Sequence, residues 1–311
     1  MTLAPELEAY VEAAAAAGAP PLYDQPLDLA REQAALFAHV GALEPEALEV
    51  VENRTIPGPA GEIPVRVYDP DAGTTSPVIA YFHGGGFVLM NLDTHDRVCR
   101  RLANATNAVV VSVDYRLAPE HRFPAALDDC MAVTHWLTTH AAELAGDPRR
   151  IAVAGDSAGG NLAAATALAA RNGGPGLAAQ ILLYPVIDAA CDTESFTTNA
   201  EGYLLTAATM RWFWDQYLGP DGDPSDPYAS VLRAEDLGAA PPALVITAEY
   251  DVLRDEGEAY AARLRDAGIH VTCSRYDGMI HGFVTMDAMT PAAGRAIAEI
   301  AAFLDHVFAS S

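Results

Sequence analysis

Ser157 lies in the run AVAGDSAGGN (residues 152–161), at the centre of Gly155-Asp156-Ser157-Ala158-Gly159. A serine hydroxyl is a poor nucleophile until a neighbouring base takes its proton. The G-x-S-x-G spacing, set between an apolar strand and an apolar helix, predicts a sharp turn that presents that hydroxyl above the edge of a sheet. The flanking glycines let strand and helix backbones approach closely, and the serine itself is expected in a strained conformation. Negative charge nearby would be stabilised by the helix N-terminus. A second run, YFHGGGFV (81–88), follows another apolar strand. Consecutive glycines there can aim backbone N–H groups at a developing oxyanion. The N–H groups of Gly84 and Gly85, with that of Ala158, are the expected oxyanion hole. The G-x-G-x-x-G spacing of a dinucleotide loop is absent.

The nucleophile needs a base, and nine histidines are available. His281, in YDGMIHGF, lies just beyond the last expected strand, where a catalytic loop would sit. His39, His135, His140 and His306 fall in expected helices. His270 begins a strand, His83 belongs to the glycine loop, and His95 and His121 precede the serine turn. Position therefore selects His281. An acid must hold the base's tautomer and stabilise imidazolium. Asp251 directly follows the strand ALVITAEY, whereas Asp255 and Glu256 suit the start of the next helix and Glu249 lies within the strand. The expected order is Ser157, Asp251, His281.

These residues need a frame, and the hydrophobic pattern supplies one. Two helical runs ending at Gly18 and Gly41 open the chain. A hairpin around PGPAG follows. Apolar strands then alternate with helices: strands at 77–82, 108–115, 150–155, 180–187, 243–250 and 270–276, and helices near 94–105, after Pro124, from Ser157 to Gly173, and at 256–267 and 291–308. Continuous apolar strands between helices imply an α/β protein with a mostly parallel sheet covered on both faces. Residues 188 to about 235 break the rhythm, with the aromatic helix TMRWFWDQYLG and the polar turn GPDGDPSDP. The expected organisation is an N-terminal helical cap segment (1–50) and a catalytic domain (51–311) carrying a second cap segment inserted at about 188–235. Trp212, Phe213 and Trp214 could line a substrate pocket, although adjacent helical positions cannot all face one way.

Composition narrows the chemistry. Lys and Arg total 18 against 42 Asp and Glu, for a net charge of -24, and every basic residue is Arg. Without Lys there is no Schiff-base chemistry and no P-loop lysine. The acidity disfavours nucleic acid and anionic membranes, and it favours neutral or cationic small molecules. Four separated cysteines without a C-x-x-C pair are expected as reduced thiols of a cytoplasmic protein. The first Arg is Arg31, so the start of the chain lacks the basic region of a signal peptide. No apolar run approaches the roughly 18 residues of a membrane span. No H-e-x-x-H occurs, and His135 and His140 do not share a helix face, so no metal is expected. The run DGDPSD (221–226) lacks the Gly and Glu of an EF-hand loop.

Together HGGGFV, VDYRLAPEHRFPAALDD, GDSAGGNLAA, LLYP, DVLRDEG and MIHGF resemble the bacterial hormone-sensitive-lipase-like (family IV) carboxylesterases, over nearly the whole chain after residue 50. NAEGYLLTAATMRWFWDQYLG resembles their cap segment. The resemblance implies an α/β-hydrolase fold, no cofactor, and hydrolysis of short-to-medium acyl esters by a Ser157–His281–Asp251 triad, with a homodimer common among relatives. Val252 stands where many relatives have Pro. Two other activities fit the same motifs: a non-catalytic small-molecule receptor on this fold, and an amidase or acyl-peptide hydrolase using the same triad.

Overall fold

The computed structural model describes residues 2–40, 43–171, 174 and 176–309. The expected helix stops at Gly41 and Gly173 lie outside the described residues. The chain opens with helices α1 (Pro5–Ala17) and α2 (Leu27–Phe37). Gly18 ends α1 in the left-handed region (φ 62°), and α2 stops at Phe37, leaving His39 in a turn. Strands β1 (Val50–Gly58) and β2 (Gly61–Asp69) form the hairpin, followed by β3 (Ser76–Phe82), α3 (Asp96–Thr106), β4 (Val109–Val113) and α4 (Ala125–His140). Next come β5 (Gly146–Asp156), α5 (Ala158–Ala170), β6 (Ala179–Leu183), α6 (Glu194–Thr198) and α7 (Ala207–Leu218). The last elements are β7 (Ala243–Tyr250), α8 (Arg254–Asp266), β8 (Val271–Ile280) and α9 (Pro291–Phe308).

The eight strands form one sheet in the order β1-β2-β4-β3-β5-β6-β7-β8. Only the β1–β2 and β2–β4 pairings are antiparallel. The alternation of a strand divides each side chain between two cores. Val78, Ala80 and Phe82 of β3 face the layer of α4, α5 and α8, while Ile79 and Tyr81 face that of α3 and α9. Both faces are covered, so the central strands are mostly apolar on both sides, with Ser112, Gln180 and Thr247 as buried exceptions, and that made them legible as near-continuous runs.

Two expected boundaries shift for physical reasons. The strand expected at 180–187 ends at Leu183. Tyr184 takes φ 36° and Pro185 has no N–H for the ladder, so the chain turns across the serine elbow, where Val186 N–H donates to Ser157 O at 3.1 Å. The last strand begins one residue after His270 and runs on to Ile280, four residues past its expected end at 276. Among the described residues, 188–235 contain helices but no strand. The N-terminal segment is divided between the two cores: Leu7 of α1 packs with α3 and α9, whereas Ala30 and Ala34 of α2 join the opposite core. Arg31 ties α2 to the loop after the glycine run, donating to Val88 O at 2.9 Å and Ala118 O at 3.0 Å.

Candidate active site

The geometry starts at the junction of β5 and α5. Ser157 sits there at φ 55°, ψ -120°, a region side chains rarely adopt. The surroundings hold it: Ser157 N–H donates to Leu183 O at 2.8 Å, and Ser157 O accepts from Asn161 and Val186. Gly155 and Gly159 are needed for contact. A Cβ on Gly155 would stand 2.2 Å from Gly159 O, and one on Gly159 would stand 1.9 Å from Phe82 O.

His281 follows β8 and reaches this point from across the sheet. Its Nε2 lies 2.9 Å from Ser157 Oγ and its Nδ1 lies 2.7 Å from Asp251 Oδ2. Asp251 leaves the end of β7, is buried, and also accepts the Leu253 N–H on Oδ1 at 2.9 Å. A carboxylate beside Nδ1 fixes that nitrogen as the N–H donor, which leaves Nε2 free to accept the serine proton. The Tyr184 ring packs edge-on against the imidazole, with centroids 4.8 Å apart. The rival acids are committed elsewhere. Glu249 accepts Gly278 N–H at 2.7 Å, and Asp255 accepts Ser195 N–H at 2.7 Å.

The glycine loop departs from expectation by one residue. Gly84 N–H donates to Asp156 Oδ1 at 3.0 Å, so it is not free to meet an oxyanion. The cause is the buried Asp156 carboxylate, which draws three donors to itself: Tyr81 Oη at 2.7 Å, Gly84 N–H and His95 Nε2 at 3.2 Å. Burial works to raise the Asp156 pKa, but His95 and the Tyr81 hydroxyl outweigh it and hold the carboxyl below its ordinary range. The next two glycines turn with φ 110° and 61°, and no hydrogen bond within the described chain uses the N–H of Gly85, Gly86 or Ala158. His83 is buried beneath the loop, stacked on Tyr115 with centroids 4.3 Å apart, its Nδ1 at 2.7 Å from Gly84 O. Burial, followed by the neighbouring His95, lowers its pKa to about 3, which keeps the ring neutral.

The three aromatic residues of α7 separate as helical geometry requires. Phe213 lies over Gly86, where a Cβ would stand 2.3 Å from its ring. Trp214 packs beside Phe87, which stacks on Tyr217 at 3.8 Å, while half-buried Trp212 borders Phe213. All four cysteines are free thiols, and three are buried. Among the described residues no group of His, Cys, Asp and Glu could hold a metal ion, and no helix is long and apolar enough to cross a membrane.

Glu256 supplied no signal beyond a favourable helix start, yet it is fully buried. Its Oε1 accepts Ile187 N–H at 2.6 Å and Asp188 N–H at 3.4 Å, while Oε2 has no hydrogen-bond partner among the described residues. Burial drives its pKa well above the ordinary carboxyl range, against the pull of the two N–H groups. The native state thus keeps a proton that the unfolded chain releases once pH passes its ordinary value, so this group's contribution to stability falls as pH rises through that window. Glu256→Gln keeps the acceptor and removes the titration. Thermal melts should show the variant gaining stability over wild type steadily as pH rises from about 4.5 towards 8, with no gain at the acidic end. A pH-independent difference between the two proteins would contradict a protonated Glu256.

Comparisons place this arrangement among known proteins. The sequence profile of the alpha/beta hydrolase fold family matches residues 79–285. Carboxylic ester hydrolase LipN of Mycobacterium tuberculosis is 46% identical over 243 residues, spanning 76% of this chain and 65% of LipN. Carboxylesterase NlhH of the same species is 47% identical over 254 residues, 79% of each chain. An ester hydrolase from the metagenome of Lake Arreo, solved with a bipyridine phosphonate derivative, superposes with a TM-score of 0.95 at 42% identity, covering 99% of this chain and 100% of that one. With two thirds of its length matched by that profile and with these relatives, the chain belongs to the α/β-hydrolase-fold family.

Proposed function

We propose that the protein is a serine carboxylesterase of the hormone-sensitive-lipase-like type, acting on neutral short-to-medium acyl esters. The observation that carries this reading is the unbroken path Ser157 Oγ–His281 Nε2 (2.9 Å) and His281 Nδ1–Asp251 Oδ2 (2.7 Å). The relatives named carboxylic ester hydrolase and carboxylesterase support it. Ser157 Oγ attacks the ester carbonyl carbon while its proton passes to His281 Nε2, and Asp251 stabilises the imidazolium. The carbonyl oxygen becomes an oxyanion held by the N–H groups of Gly85, Gly86 and Ala158. As the ester C–O bond breaks, His281 returns the proton to the departing alcohol, leaving an acyl group on Ser157. His281 then takes a proton from water, hydroxide attacks the acyl carbon, and the proton goes back to Ser157 as the carboxylic acid leaves. Residues 1–50 and 188–235 form the cap in this reading, with Phe213 bounding the acyl site beside Gly86.

A p-nitrophenyl alkylphosphonate tests the assignment. One equivalent of p-nitrophenolate per chain should be released, with the adduct mass on the peptide containing Ser157, and p-nitrophenyl butyrate hydrolysis should cease in step. Neither adduct nor turnover would revive the receptor alternative, and turnover with the adduct on another residue would overturn the triad.

A further inference from the structure

We propose that Asn199, on the segment inserted between β6 and β7, is a positioning residue that holds the Asp251 loop in register with His281; this rests on the esterase reading above. Asn199 immediately follows α6 and is buried. Its Nδ2 donates to Asp251 O at 3.0 Å and to Glu249 O at 3.3 Å. One turn earlier, Ser195 Oγ donates to Val252 O at 2.6 Å and accepts Asp255 N–H at 3.2 Å, and Ser195 N–H donates to Asp255 Oδ2. The inserted segment thus holds three carbonyls where β7 gives way to the acid loop, those of Glu249, Asp251 and Val252.

The sheet alone does not fix this loop. The β7–β8 pairing shifts register between Ala248 and Tyr250, so the ladder is irregular just where Asp251 departs. Arg254 adds one contact from Nη1 to Glu249 O at 3.0 Å and a longer one from its N–H to Asp251 O at 3.3 Å. A buried carbonyl left without donors is costly, and a primary amide is the one uncharged side-chain group that offers two N–H bonds from a single nitrogen. Asp251 Oδ2 must stay 2.7 Å from His281 Nδ1 to hold the imidazole toward Ser157. Backbone drift at residue 251 moves that carboxylate directly. Asn199 contacts no reacting atom, so its loss should act on turnover rather than on substrate binding.

The experiment compares wild type, Asn199→Ala and Asn199→Asp on p-nitrophenyl butyrate, with Ser157→Ala as the control. Asn199→Ala should lower kcat roughly tenfold, the scale on which small misplacements of catalytic groups act, with KM held within about twofold. Asn199→Asp keeps the shape but loses the donors while ionised, and should be at least as impaired. End-point titration with the p-nitrophenyl phosphonate counts folded sites. It should stay near one per chain in Asn199→Ala, while the labelling rate falls with kcat. Unchanged kcat in Asn199→Ala, a loss matched by missing titratable sites, or a fully active Asn199→Asp would each overturn the proposal. Should the aspartate variant not fold, Asn199→Ala decides alone. Persistent turnover by Ser157→Ala would instead sink the parent reading.

Discussion

Ser157→Ala is expected to lower kcat for p-nitrophenyl butyrate by about 10⁵- to 10⁶-fold, the scale on which removing a triad nucleophile acts. No other hydroxyl can take over: among the described residues His281 Nε2 has a single hydrogen-bond partner, Ser157 Oγ, at 2.9 Å. The substitution should leave the fold alone. Ala has the same Cβ as Ser, so the strain at φ 55° is unchanged, and the backbone bonds from Ser157 to Leu183, Asn161 and Val186 survive. Melting temperature should therefore stay within about 2 °C, as for a substitution that creates no cavity and orphans no buried donor. The residual rate should still exceed that in water, because Gly85, Gly86 and Ala158 N–H groups remain to meet the oxyanion. Steady-state kinetics and a thermal melt of the same preparation check both halves. Activity above a few per cent of wild type, in protein free of wild-type contamination, would remove Ser157 from the mechanism.

What the sequence disclosed follows from how local each signal is. The serine turn is encoded within five residues, and Asp251 stands out as the first residue after an apolar strand, whereas His281 stands out among nine histidines only by lying a few residues past the last expected strand, at 270–276. The central parallel strands were legible because burial on both faces leaves them mostly apolar, with only isolated polar residues such as Ser112, Gln180 and Thr247. Gly84 was misassigned because its N–H is claimed by Asp156, 72 positions away. A buried carboxylate beside the nucleophile demands donors, and which loop supplies them depends on tertiary packing. One hint was present: His83 and His95 flank the glycine loop in a sequence where Asp156 precedes the serine. The end of β6 carried its own signal in Pro185, overridden in reading by the apolar run around it. Asn199 and Glu256 gave no signal, since an Asn after a short helix and a Glu in a first turn are ordinary on a surface, and only burial distinguishes them. Among Trp212, Phe213 and Trp214, the helical period told that the three must part, though not that Phe213 would be the one over Gly86.

Gly159→Ala should fail in folding where Ser157→Ala fails in chemistry. The added Cβ would stand 1.9 Å from Phe82 O, 2.5 Å from Phe82 C and 2.6 Å from His83 O, and all three atoms are backbone. None can yield cheaply. Phe82 is paired with Val113 of β4 on one side and Gly155 of β5 on the other, in the middle of the sheet. A single methyl must therefore push α5 away from β3, breaking contacts along both. Overpacking costs about 1–3 kcal/mol where side chains can adjust, and against fixed backbone roughly 4–5 kcal/mol is reasonable. For a domain of this size that corresponds to a fall in melting temperature of about 6–8 °C, or to insoluble protein if wild-type stability is at the low end of the usual range. Any folded fraction should also lose kcat, because His83 O lies at the root of the loop bearing Gly85 and Gly86. Gly176→Ala is the matched control: a Cβ there meets nothing within 4 Å. It should melt with wild type. If Gly159→Ala melts within about 2 °C of that control, the tight crossing of α5 over β3 is not what holds the elbow in place.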